Sequence, residues 1–203
     1  MLVARWKKLM ANMGMKENKA TCDALVQAYS EAHRQYHTLV HLESVLSLLD
    51  QYQHLAQHTH EIELALWFHD AIYQPKSTSN ELESAQWART FLNQNQINSQ
   101  STARIEQLID ATSHTGASGT VDEKLISDID LAILGRPKTD YEIYTHGVRF
   151  EYQLVPISLY REKRKAVLQG FLNRPKIYLT EPLHERFEEQ ARRNIFDEIR
   201  GLE

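Results

Sequence analysis

Ile62-Glu-Leu-Ala-Leu-Trp-Phe-His-Asp70 is the most apolar segment of the chain, and it ends in a histidine and an aspartate. Ile62, Ala65, Leu66 and Phe68 are packed too densely for a one-sided surface helix, so the run predicts a buried central helix. Burying His69 and Asp70 without partners at its end would be costly. A metal ion would satisfy both.

Working outward, helical spacing recurs on either side. Leu42, Val45, Leu46, Leu49 and Tyr52 fall at i, i+3, i+4, i+7 and i+10. Leu82, Ala85, Trp87, Ala88, Phe91 and Leu92 form a second amphipathic run. Asn80 is its expected N-cap, with Glu81 and Glu83 in the first turn. Ile105, Leu108 and Ile109 mark a helix expected to stop in Thr115-Gly-Ala-Ser-Gly-Thr120. Leu125, Ile126, Ile129 and Ile133 mark another that stops at Gly135. Tyr141 to Leu154, Ile157 to Leu172 and Leu183 to Leu202 complete the set. Pro75, Pro137, Pro156, Pro175 and Pro182 read as boundaries. No alternating strand pattern and no internal repeat is visible. The expectation is all-α: eight or nine helices in one domain over 1–203, with a core of about 20–135 and C-terminal helices of about 140–202 packed on it.

The chain of 203 residues is 42% apolar, as a soluble globular protein is. Its net charge of −4 gives no electrostatic footprint for DNA or RNA. Cys22 is the single cysteine; it cannot form an intramolecular disulfide, fits a reducing compartment, and has a helical, structural setting. Met1 to Lys8 lacks the apolar core of a signal peptide, and no stretch approaches the roughly 18 apolar residues of a membrane span, so a cytoplasmic location is expected. His54, His58 and His60 lie in a polar helix end and loop, 51–61, and read as solvated.

Three places concentrate metal-compatible side chains. His37 and His41 are four apart, on one face if that stretch is helical. His69-Asp70 closes the apolar run. Asp128-Ile-Asp130 enters Leu131-Ala-Ile-Leu134. Histidine nitrogens with carboxylate oxygens suit a divalent ion such as Mn, Fe, Co, Ni or Zn, or Mg completed by waters. Such an ion would activate a water near neutral pH and polarise a phosphoryl oxygen. No Gly-x-Ser-x-Gly elbow, phosphate-binding glycine loop or paired-cysteine motif competes.

His41, His69-Asp70 and then Asp130 (or Asp128) resemble the H…HD…D signature of the HD superfamily. The flanks Tyr36-His37-x-x-x-His41, Trp67-Phe-His-Asp70-Ala-Ile-Tyr73, Asn80-Glu81-x-x-Ser84-Ala85, Asp128-x-Asp130-Leu-Ala-Ile-Leu-Gly135, Arg149-x-Glu151-Tyr152 and Ala191-Arg192-x-Asn194 are similar to a bacterial subgroup of HD phosphohydrolases of comparable length. The likeness covers about residues 30–200. It implies an all-α HD core and a metal-dependent phosphohydrolase. His41, His69 and Asp70 match the ligands, with Asp130 or Asp128 as the last. Asp70 is also placed in the catalytic set. His37 is implied as a neighbouring or substrate-binding group, and His114 as a later histidine facing the site.

Glu81 is a general acid or base candidate, or simply a first-turn acid. Arg34, Lys76, Arg149 and Arg161 are candidate phosphate clamps, with Arg34 and Arg149 foremost, against a reading as surface ion pairs. Glu151 and Tyr152 read as pins for the C-terminal helices. Trp67, Phe68, Trp87 and Phe91 read as core. The expected function is hydrolysis of a small phosphorylated substrate, a phosphoester that could be a nucleotide. A metal- or nucleotide-sensing module without turnover is one rival. A di-iron oxygenase is the other, with His37 and His114 supplying the extra ligands. A homodimer is the base-rate expectation.

Overall fold

The computed structural model describes residues 1–114 and 119–202, and these are all-helical, with no strand among them. Ten α-helices are present among the described residues: α1 (Leu2–Asn12), α2 (Lys19–Ala28), α3 (Leu39–Tyr52), α4 (Thr59–Phe68), α5 (Asn80–Gln94), α6 (Ser99–Ala111), α7 (Val121–Asp130), α8 (Lys138–Glu151), α9 (Ile157–Leu172) and α10 (Glu181–Gly201). None is long and apolar enough to cross a membrane.

Helices α1 and α2 lie outside the eight runs that periodicity marks. Leu2, Trp6, Leu9 and Met10 fall at helical spacing and are all buried. The Trp6 ring meets Trp67 edge-on at 5.2 Å and lies 5.7 Å from Phe91. Arg5 adds a forked pair to Asp50 at 2.7 and 2.8 Å and a bond to Glu63 Oε1 at 2.7 Å, tying α1 to α3 and α4.

Helix α4 is the central helix its composition predicts, flanked by α1, α3, α5, α6 and α7. Ile62, Leu64, Ala65, Leu66, Trp67 and Phe68 are fully buried. Its two glutamates are buried as well, and each is paired: Glu63 with Arg5, Glu61 with both arms of Arg104 at 2.6 and 2.7 Å. This pairing is what makes a charged residue tolerable there. Trp67, Phe68 and Phe91 belong to the core and Trp87 packs on it, so the aromatic run is core, as expected.

Several boundaries shift. Ser79, not Asn80, precedes α5; the Asn80 amide instead closes the loop before it, bonding Gln74 N and O at 3.0 Å each. Helix α6 ends at Ala111, and residues 115–118 of its expected stop lie outside the described residues. The α7 helix ends at Asp130 and tightens into a 3-10 turn, Leu131–Gly135. Helix α10 grips that turn. Asn194 donates to the carbonyls of Leu134 and Arg136 at 2.8 Å each, and Tyr178 Oη donates to Leu131 O at 2.9 Å. Gly135 lies so close to Phe187 that a β-carbon there would sit 2.5 Å from Phe187 Cβ.

Candidate metal centre

Helix α4 delivers His69 at its C-cap, and Asp70 follows directly. Nδ1 of His69 lies 2.8 Å from the Leu66 carbonyl. A carbonyl only accepts, so Nδ1 carries the proton and the lone pair of Nε2 faces the site. His41, in the first turn of α3, presents its Nε2 at 3.2 Å from His69 Nε2. Asp130, at the end of α7, brings Oδ1 to 3.2 Å from His41 Nε2 and 3.5 Å from His69 Nε2. Asp70 Oδ2 lies 3.0 Å from His69 Nε2 and 3.5 Å from His41 Nε2.

These spacings test whether an ion fits. Ligand atoms about 2.0–2.2 Å from a common centre, at angles of 90–110°, are separated by roughly 2.8–3.6 Å. The five separations that involve a histidine nitrogen, 3.0–3.5 Å, fall inside that window. His41, His69 and Asp130 each offer an atom within 4.8 Å of the others. The donor set, two imidazoles and two carboxylates, is one that divalent ions accept.

Electrostatics point the same way. Burial alone would lower the His69 pKa, but Asp70 and Asp130 outweigh it and hold it well above the ordinary value. Burial would raise the Asp70 carboxyl, yet His69, His37 and His41 pull it down. Asp130 is likewise held well below the usual range, against its burial, by bonds to His114, His41 and His69. Two carboxylates thus remain ionised in a buried pocket because the facing imidazoles supply positive charge, which a divalent ion would also supply.

His114 joins the site. It takes a left-handed backbone conformation (φ 56°), and its Nε2 lies 2.8 Å from Asp130 Oδ2 while Nδ1 lies 3.1 Å from Ser127 Oγ. It therefore orients the carboxylate. Ser127 was not singled out from sequence. Its signal was its place three residues before Asp130, on the same face of α7.

His37 also arrives beside the site, for a different reason than expected. It precedes α3 and shares no helical face with His41, although the two rings are 5.9 Å apart. Glu151, at the end of α8, places it. Oε1 accepts the amides of Gln35, Tyr36 and His37 at 2.7–2.9 Å, and Oε2 bonds His37 Nδ1 at 2.8 Å and Tyr73 Oη at 2.9 Å. Burial would raise the Glu151 carboxyl, but these donors, His37 foremost, bring it down to about 2. Burial would lower His37, but Asp70, Glu151 and Asp130 raise it.

The other candidates do not join the cluster. Asp128 is fully buried and faces away, accepting Leu179 N at 2.8 Å, Thr180 N at 2.7 Å and Thr180 Oγ1 at 2.6 Å. Two positions along a helix are about 200° of rotation, so Asp128 and Asp130 cannot face one point. Arg34 is buried and spent on the backbone it supports, donating to Asp70 O at 2.6 Å, Ala71 O at 3.1 Å and His37 O at 3.3 Å. Its guanidinium lies between Tyr29 and Tyr73, 5.4 Å from each ring. It holds the His-Asp turn in place and has no free fork for a phosphate. Arg149 bonds Tyr152 O at 2.6 Å and covers Tyr160 at 4.7 Å, closing the α8–α9 loop. Glu81 stays in the first turn of α5, with no bond to the cluster. Lys76 and Arg161 are exposed. His54, His58 and His60 are exposed as expected, although His58 Nδ1 lies 3.1 Å from Asp122.

A cavity of about 500 Å³ opens against the cluster, with His41 and Asp130 in its wall. It falls in the size range of small-molecule sites. Comparison with family models, with curated proteins and with solved structures finds no match.

Proposed function

We propose that the chain is a metal-dependent phosphohydrolase of the HD type, acting on a small phosphoester. The observation that carries this is the convergence of His41 Nε2, His69 Nε2 and Asp130 Oδ1 at mutual distances that one ion satisfies, with Asp70 Oδ2 3.0 Å from His69 Nε2. A divalent ion bound there would supply an activated water and a Lewis acid for the phosphoryl group.

The chain's own residues do the rest. His69, held in one tautomer by Leu66 O, and His41 would hold the ion through their Nε2 lone pairs. His114 and Ser127 hold Asp130. Arg34 fixes the carbonyls of Asp70 and Ala71, and so the position of the Asp70 carboxylate. His37, with Nδ1 tied to Glu151, keeps its other ring nitrogen to hold a proton for the departing alcohol oxygen.

The di-iron reading has less support. It needs His37 and His114 as further ligands, and Ser127 and Asp130 engage both nitrogens of His114. A phosphate-release assay with Mn, Mg, Co, Ni or Fe added, against nucleotides and simple phosphoesters, tests the proposal. Metal-dependent release that vanishes in a folded Asp70→Ala variant is expected. Silence across all metals and esters, with the ion still bound, would overturn hydrolysis in favour of a sensing module.

A further inference from the structure

We propose that the substrate of this site is a phosphomonoester of an apolar alcohol rather than a nucleotide. This rests on the hydrolase reading for its phosphate, and on the cavity for its alcohol. His41 and Asp130 both line the cavity, so a ligand filling it lies against two of the candidate metal ligands. Its walls beyond them are mostly aliphatic, with Val45 and Leu48 from α3, Ile129 from α7 and Ile133 from the 3-10 turn. Gln35, Thr38, Ser44 and the rings of Tyr36 and Tyr144 also line it. A ribose or a base buried there would set several hydroxyls and ring nitrogens against methyl groups, with more hydration lost than the side chains of Gln35, Thr38 and Ser44 can replace.

The mouth repeats the pattern. Val40 and Ile143 line the cavity and are 76% and 72% exposed, two aliphatic side chains left in water beside an apolar hollow. An apolar ligand would cover them and gain by doing so. Among the described residues, the charged ones lining it away from the cluster are Arg136 and Asp140, of opposite sign. Together they offer no net charge for a second phosphate, which argues for a monoester with one anionic end.

Binding can be read without turnover. Linear alkylphosphonates from methyl to octyl are titrated calorimetrically into the Mn²⁺-loaded full chain, with adenosine monophosphate as the nucleotide arm. The expected result is a Kd that falls roughly two- to fourfold for each added methylene, the factor that apolar burial supplies. In a Val40→Ser/Ile143→Ser double variant, both positions being exposed, octyl binding should weaken at least fivefold more than methyl binding. A Kd independent of chain length, or tighter binding of adenosine monophosphate than of octylphosphonate, would overturn the inference. Failure of the two readings separates cleanly. Turnover of phenyl phosphate with a flat series leaves the hydrolase and removes the apolar substrate. A steep series with no turnover of any ester keeps the cavity assignment and removes the hydrolase.

Discussion

Asp128 and Asp130 stand two positions apart in one helix and do different work. Asp130 turns to the histidines, while Asp128 receives three donors from Leu179 and Thr180 where the chain enters α10. Asp128→Ala should cost about 2–3 kcal/mol in urea unfolding, because it leaves buried backbone amides without an acceptor, and should leave metal stoichiometry unchanged. The sequence placed both carboxylates beside the apolar Leu131–Leu134 run, but residue spacing alone could not say which faced the histidines. That choice depends on where α10 begins, 50 residues later. Arg34 shows the same limit. Its charge suggested a phosphate clamp, and only the fold reveals that its donors are already occupied by Asp70, Ala71 and His37 carbonyls. His69 and Asp70 stood out because an apolar run ending in His-Asp leaves few other ways to satisfy those groups, and His41 through the H…HD…D resemblance.

Among the elements, α8 is fastened to the segment before α3 through Glu151. Its carboxyl has an ordinary pKa of 4.5 in the unfolded chain and about 2 in the folded one. The lower folded value means that the ionised form stabilises the fold. That contribution, at most about 3 kcal/mol, is complete above pH 4.5 and is lost as pH falls toward 2. Glu151→Gln should therefore unfold more easily at pH 7, and its gap from wild type should close between pH 4.5 and 2 in urea titrations. Packing of α10 on the 3-10 turn gives a second test. Gly135→Ala would drive a β-carbon to 2.5 Å from Phe187 Cβ and 2.6 Å from its carbonyl oxygen, costing about 2 kcal/mol or more. Gly170→Ala, in α9 with nothing within 4 Å, should instead gain up to about 1 kcal/mol. Thermal or urea unfolding of the pair separates the two. Helix periodicity revealed most elements, since proline and glycine punctuation coincides with their ends. It missed cap details such as Ser79 for Asn80, because the Asn80 amide is drawn back to Gln74 in the preceding loop.

For the whole molecule, the core is built around α4, and α1 completes it. The sequence signal for α1 was present in Leu2, Trp6, Leu9 and Met10, but the run is short and bracketed by charges. It is tertiary packing of Trp6 on Trp67 and Phe91 that gives the helix its stability. Trp6→Ala should destabilise the chain by about 3–5 kcal/mol in urea. Around this scaffold the centre gathers its ligands from α3, the end of α4 and the end of α7, so an ion would bind only the folded form and raise its stability, by about 2.7 kcal/mol at a hundredfold excess over Kd. The most direct test of the centre is equilibrium dialysis of the full chain against Mn²⁺, with His69→Ala, Asp130→Ala and Asp128→Ala beside the wild type. One ion per chain in wild type and Asp128→Ala, and none in the folded His69→Ala and Asp130→Ala proteins, is the predicted result. No stoichiometric ion in the wild type, or binding that survives loss of His69 and of Asp130, would contradict it.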